Sequence, residues 1–264
     1  MEWWLAYAAI GAVAGFFAGL LGIGGGAILV PLLVMLFEAQ GMPRGHLVHV
    51  AIGTGMATIL FTSVSSVWAH AARGTVRWDV ARAMTPGVLA GGLVGSSLAG
   101  LVPTKLLALL FTLVIYAAAA NILLETKPKP SRRMPGGAGM ALVGFVVSGL
   151  SALAALGGSF LTVPFMLWCN ASMLQAIGTA AVIGFPIALS GSIGYILAGW
   201  GQSGVPEHSL GYVYLPALAG IALASVLLAP LGAAVAHRLQ IKRLKQVFAL
   251  LLFALATKMM VGLW

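Results

Sequence analysis

The chain has 264 residues, of which 61% are apolar and 7% charged, against roughly 45–50% and about 25% in soluble domains. So few charges cannot cover a surface facing water, which excludes a soluble globular enzyme and makes lipid the solvent. The net charge of +9 lies in short loops between apolar runs, where it orients the chain against an anionic leaflet and forms no nucleic-acid face.

Residues 3–37 form one apolar stretch of 35 residues, too long for a single straight span, and the glycine cluster 22–26 breaks it after 19 residues. Met1-Glu2 supplies no basic lead, so the stretch is expected to belong to the mature protein and not to a signal peptide. Two helices are predicted, the second of about 11 or 12 residues and roughly 17 Å, which need not cross the bilayer. Further spans are predicted at 49–70, 82–100, 104–124, 174–200, 212–237 and 247–264. In the second of these, Gly87, Gly91 and Gly95 recur every four residues, the mark of close helix contact. A Pro-rich basic loop occupies 125–137.

After the loop the pattern returns. Residues 138–156 are apolar, Gly157-Gly158-Ser159 breaks them, and a short helix follows to about Trp168. The first break with its Val30-Pro31 matches the second with its Val163-Pro164, and Ala51-Ile52-Gly53-Thr54 recurs as Ala176-Ile177-Gly178-Thr179. Such repeats are typical of secondary transporters. Two repeats, 1–124 and 138–264, joined by the linker 125–137 are therefore expected.

Charge counting chooses between topologies. With each broken stretch read as one crossing, eight basic residues face six. With each read as a returning hairpin, Arg73, Arg77, Arg82, Lys127, Lys129, Arg132, Arg133, Arg238, Lys242, Arg243 and Lys245 share one side, and only Arg44, Lys105 and Lys258 lie opposite. Eleven against three is a positive-inside bias. It predicts a cytoplasmic linker, both termini on the periplasmic side of the bacterial inner membrane, and halves of inverted topology. The expected fold is an all-α polytopic membrane protein of two inverted repeats, each a broken or re-entrant hairpin plus three transmembrane helices, about 8–10 helical segments in all.

No Asp, Glu, Lys or Arg falls at mid-depth, so cargo there must be held by uncharged groups. A helix that begins inside the membrane offers unpaired N–H donors and the positive end of its dipole. Gly24, Gly25, Gly26 and Ala27 in one half, and Gly157, Gly158, Ser159 and Phe160 in the other, are accordingly the candidate substrate-binding residues; the plainer alternative is a tight turn for helix crossing. Thr54 and Ser65, with Thr58 and Thr62 on the same face, and Thr179 and Ser190 in the second copy, are candidate pathway hydroxyls unless they bond their own backbone. Pro186 is expected to kink its helix. His46, His49 and His70 read as interfacial, and Trp3, Trp4, Trp68, Trp78, Trp200 and Trp264 as interface anchors. A lone Cys169 excludes a disulfide or cysteine cluster, and no metal or cofactor is expected. An intramembrane serine protease using Ser65 or Ser192 with His70 lacks a supporting acid.

These residues resemble the TauE/SafE group of sulfite and organosulfonate carriers. The resemblance rests on Gly19-Leu20-Leu21-Gly22-Ile23-Gly24-Gly25-Gly26 with Val30-Pro31, on Ile52-Gly53-Thr54, and on Arg73-Gly74-Thr75-Val76-Arg77-Trp78, and it covers essentially the whole chain. It implies a secondary carrier, an exporter, of small sulfur-containing anions such as sulfite or sulfonates. An anion channel, or a carrier of another oxyanion or a carboxylate, is the alternative, and homo-oligomer formation is left open. The second glycine motif departs from the family pattern at Ser159, so the two halves of the site need not be equal.

Overall fold

The structure, a computed structural model, describes residues 2–21, 25–124, 131–236 and 241–263. Residues 22–24, 125–130, Arg238 and Trp264, which carried several of the expectations above, lie outside the described residues.

Among the described residues, ten helices and one short hairpin follow in order: α1 Glu2–Leu21, α2 Gly26–Ala39, α3 Leu47–Ala72, α4 Trp78–Leu101, α5 Thr104–Leu124, α6 Gly137–Ala154, α7 Ser159–Trp168, α8 Met173–Gly199, β1 Ser209–Leu210, β2 Val213–Tyr214, α9 Leu215–Ala236 and α10 Ile241–Leu263. Counting the described residues alone, five of them, α3, α4, α5, α6 and α8, are long and apolar enough to cross a membrane. The fold is thus all-α and polytopic. The short helices α2 and α7 have 14 and 10 residues, about 21 Å and 15 Å of rise, less than the roughly 30 Å hydrocarbon core.

Both broken stretches turn back. Near the start of α1, Tyr7 hydrogen-bonds Gln40, the cap of α2, at 2.7 Å. At the end of α7, the carbonyl of Trp168 accepts the N–H groups of Ser131 and Arg132, just ahead of α6, both at 3.2 Å. Asn170 adds a side-chain bond to the Arg132 carbonyl at 2.9 Å, and the Arg132 guanidinium stacks over the Trp168 ring. Residues 131–136 are loop, as expected, and this part of the basic linker is docked on the end of α7.

Glycine sets the helix crossings. Gly87, Gly91 and Gly95 of α4 place their Cα atoms against the carbonyls of Ala141, Phe145 and Gly149 of α6, so the stripe read from sequence is a packing seam. A second seam joins α1 to α9, with Gly11, Gly15 and Gly19 against the backbone of Ile221, Ser225 and Ala229. There the Ser225 hydroxyl donates to the Gly11 carbonyl at 2.8 Å. Thus α1 packs on α9 and α4 on α6, while α3 packs on α8 and α5 on α10. Gly91→Leu should separate α4 from α6, because its Cβ would fall inside contact distance of the Phe145 carbonyl. The expected cost is about 2–3 kcal/mol or more, measured by thermal unfolding in detergent; unchanged stability would contradict the seam.

The exposed Trp3, Trp4, Trp68, Trp78 and Trp200 all lie at helix ends, where an amphipathic ring meets the lipid headgroups. Pro186 sits inside a continuous α8, and the Ser190 hydroxyl donates to its carbonyl at 2.8 Å.

Candidate functional site

The two glycine breaks have the same backbone geometry. Gly25 caps α2 with φ 63° and ψ −22°, and Gly158 caps α7 with φ 76° and ψ −21°, a left-handed conformation that glycine adopts at little cost. In each, the capping carbonyl accepts the N–H groups three and four residues on: Ile28 and Leu29 from Gly25, Leu161 and Thr162 from Gly158. The preceding N–H groups, those of Gly26 and Ala27 and of Ser159 and Phe160, are the ones a helix start leaves without an intrahelical acceptor. Gly157, before the second cap, is buried with its carbonyl facing Gly184 of α8. Gly24 lies outside the described residues.

The breaks also meet. A Cβ on Gly26 would fall well inside contact distance of the carbonyl oxygen of Ala155, and near Ile59 Cδ1 at 2.8 Å. Ala155 is itself left-handed (φ 46°), ending α6. The second half thus places the oxygen of its bend directly on the first turn of α2. Tyr195 of α8, completely buried, donates its hydroxyl to the Ala152 carbonyl at 2.9 Å and fixes this last turn of α6. The described Asp, Glu, Lys and Arg residues keep to loops and to the first or last two turns of helices, so partial charges of the backbone dominate between the two breaks.

The two breaks differ in access and side chains. Gly26 and Ala27 are buried, whereas Ser159 and Phe160 are half-buried. Buried hydroxyls without a hydrogen-bond partner flank the second break: Ser151 in the last turn of α6 and Thr162 in the first turns of α7, with Ser148 one turn further back.

The hydroxyls singled out from sequence are engaged elsewhere. Thr54 Oγ1 accepts the backbone N–H of Tyr214 at 3.0 Å, just before α9, and Thr179 Oγ1 accepts that of Arg77 at 2.9 Å, the cap of α4. The glycine ahead of each threonine lets the same segment come close: a Cβ on Gly53 would meet the Tyr212 carbonyl at 2.5 Å, and one on Gly178 the Thr75 hydroxyl at 2.5 Å. The pinned segments are alike too, Gly74-Thr75-Val76-Arg77 and Gly211-Tyr212-Val213-Tyr214, each opening on a positive-φ glycine. This second copy of the Gly-x-Val motif was missed in sequence reading, although its spacing was visible. Thr58, Thr62, Ser65 and Ser190 donate to carbonyls of their own helices. Ser192 donates to the Ala188 carbonyl at 2.6 Å, and neither it nor Ser65 is bonded to His70.

His49, expected at the interface, lies in the first turn of α3 and faces the protein interior. It is 2% exposed, with Nε2 at 3.1 and 2.9 Å from the carbonyls of Ala99 and Val102, and it packs on His46 and Tyr212. Cys169 is buried beyond the end of α7, and burial pushes its thiol up, away from thiolate chemistry. Outside the helices, the side-chain hydrogen bond to Asp79 raises Arg77 further above its ordinary value.

Comparison with known proteins decides the family. A family model described as "Sulfite exporter TauE/SafE" matches residues 7–259. The chain belongs to the TauE/SafE family. A probable membrane transporter protein of Haemophilus influenzae is 35% identical over 251 residues, covering 95% of each chain. A probable membrane transporter protein of Bacillus subtilis is 26% identical over 193 residues, 70% of this chain and 76% of its own, and one of Methanocaldococcus jannaschii is 23% identical over 244 residues, 89% and 87%. No solved structure matches. This TauE/SafE member is accordingly a multi-pass membrane transporter.

Proposed function

We propose that this protein is a secondary carrier that exports small sulfur-containing anions, sulfite or organosulfonates, across the bacterial inner membrane by alternating access. The observation that carries the reading is the pair of left-handed glycine caps, Gly25 and Gly158, each opening a short helix whose first N–H groups have no acceptor within the helix, with no ionised side chain beside it among the described residues. Such a helix start is an anion site, and in a dry interior its dipole acts more strongly than it does in water. The family's description, a sulfite exporter, supports this substrate class.

The topology belongs to the same reading. Residues 1–124 and 138–264 are inverted repeats around the linker 125–137, each a hairpin that returns to its starting side followed by three crossings. Three features support this: both hairpins close on themselves, α1 on α9 mirrors α6 on α4, and Thr54 and Thr179 make the same bond to opposite halves. The positive-inside bias puts the linker in the cytoplasm and both termini in the periplasm.

Proteoliposomes loaded with sulfite should accumulate labelled sulfite by counterflow that saturates with concentration, and methanesulfonate should compete. Preference for carboxylates over sulfur anions would refute the substrate class. Continuous single-channel current without counterflow would replace the carrier by a channel.

A further inference from the structure

We infer that the cargo's oxyanion sits on the α7 start alone, held by the Ser159 and Phe160 N–H groups and the Thr162 hydroxyl. The site would then select singly charged anions with one oxyanion head, a sulfonate or sulfite in its hydrogensulfite form, over doubly charged ones such as sulfate. This deepens the carrier reading above and rests on it.

The backbone treats the two breaks alike, so the difference comes from what faces them. At α2 the Ala155 carbonyl oxygen already lies on the first turn beside Gly26. Its negative end takes up the positive field of the α2 dipole and repels a second oxyanion there. Gly26 and Ala27 are also closed off, while Ser159 and Phe160 remain half-open.

Thr162 is the second observation. It is 0% exposed, and its hydroxyl has no partner. Threonines in membrane helices ordinarily donate to the carbonyl four residues back, as Thr58, Thr85, Thr112 and Thr257 do here at 2.7–2.9 Å. Thr162 makes no such bond: the Gly158 carbonyl accepts the N–H groups of Leu161 and Thr162, and the Thr162 hydroxyl is left over. Its Oγ1 instead lies back over the first turn, 3.9 Å from where a Gly158 Cβ would be. A buried hydroxyl left unpaired is destabilising, and a ligand oxygen at this turn would pair it. The residue at the same place in α2, four after its glycine cap, is Leu29, 1% exposed. The hydroxyl is thus present in one half only.

Charge then decides the ligand. One helix start supplies roughly half a positive charge, and a hydroxyl adds one dipole. A single negative charge is partly offset, but a second meets no partner while its desolvation cost rises steeply. The terminal methyl of Ile187 fills the space over Gly158, inside contact distance of where a Cβ would be; as the end of a flexible side chain it can give way, unlike the Ala155 carbonyl at Gly26, and it offers an apolar wall to the uncharged substituent of an alkanesulfonate.

The test uses the purified full-length protein, with binding of methanesulfonate and of sulfate followed by calorimetry. Wild type should bind methanesulfonate at least tenfold more tightly than sulfate. Thr162→Val should weaken methanesulfonate about tenfold, as expected for a lost hydrogen bond to a charged group, while the ligand-free protein melts at the same or a higher temperature. Thr162→Ser should restore affinity. The stability arm separates this from a structural role, since a packing threonine would lower the melting temperature when replaced. Equal affinity for sulfate and methanesulfonate, or unchanged methanesulfonate affinity in Thr162→Val, overturns the single seat and leaves the carrier reading standing. A wild type that binds neither sulfonate nor sulfite overturns the carrier reading and this inference with it.

Discussion

Gly26→Ala should abolish transport, with the protein still inserted in the membrane. The added methyl would fall inside contact distance of the Ala155 carbonyl oxygen. That oxygen belongs to the backbone of a left-handed residue ending α6, so it cannot rotate aside as a side chain would. The two hairpins must separate, and the α2 and α7 starts lose their relative placement. Overpacking of this sort costs about 1–3 kcal/mol when neighbours yield and more when they are backbone. Gly158→Ala should act more mildly, because its strain is left-handed φ plus contact with the end of the flexible Ile187 side chain. Gly41→Ala is the control: Gly41 has φ 73° but nothing within 4 Å of its Cβ position. It should lose about 1–2 kcal/mol of local strain energy and keep its flux. Sulfite counterflow in proteoliposomes measures all three, and wild-type flux in Gly26→Ala would sink the assignment.

Thr54→Val and Thr179→Val should each lower stability by about 1 kcal/mol, the cost of leaving a part-buried N–H without its acceptor. The orphaned groups are the N–H of Tyr214 and of Arg77. Serine at either position keeps the oxygen and should recover most of the loss. The two bonds hold different segments, one ahead of α9 and one ahead of α4, so the double variant should be additive within about 0.5 kcal/mol. Thermal unfolding of the four proteins in detergent checks this. If valine is tolerated at both positions, the threonines do not pin the halves together, and a pathway role for them becomes the better account.

Much of the architecture was legible because hydropathy is a local property. The apolar runs, their breaks at the glycine clusters and the short helices after them follow from stretches of 10 to 30 residues, and the helices lie close to those bounds. The Gly87-Gly91-Gly95 stripe was readable for the same reason. The equivalent spacing of Gly11, Gly15 and Gly19 was equally visible but hidden inside a run judged only by its apolarity. Ser159 as a departure from the first motif was noted from sequence, yet the more telling difference, Thr162 against Leu29, stood in the same match.

The sequence by itself determined the solvent, the helical class, the places where helices break and the family, because each depends on composition or on short motifs. Only the tertiary structure decided what the hydroxyls do, since Thr54 and Thr179 find their partners 160 and 102 residues away. It also decided that the two breaks are unequal: the Ala155 carbonyl comes to rest on Gly26 through the packing of one hairpin on another. Contacts of that kind are set by where whole helices cross, and no local pattern of side chains encodes them.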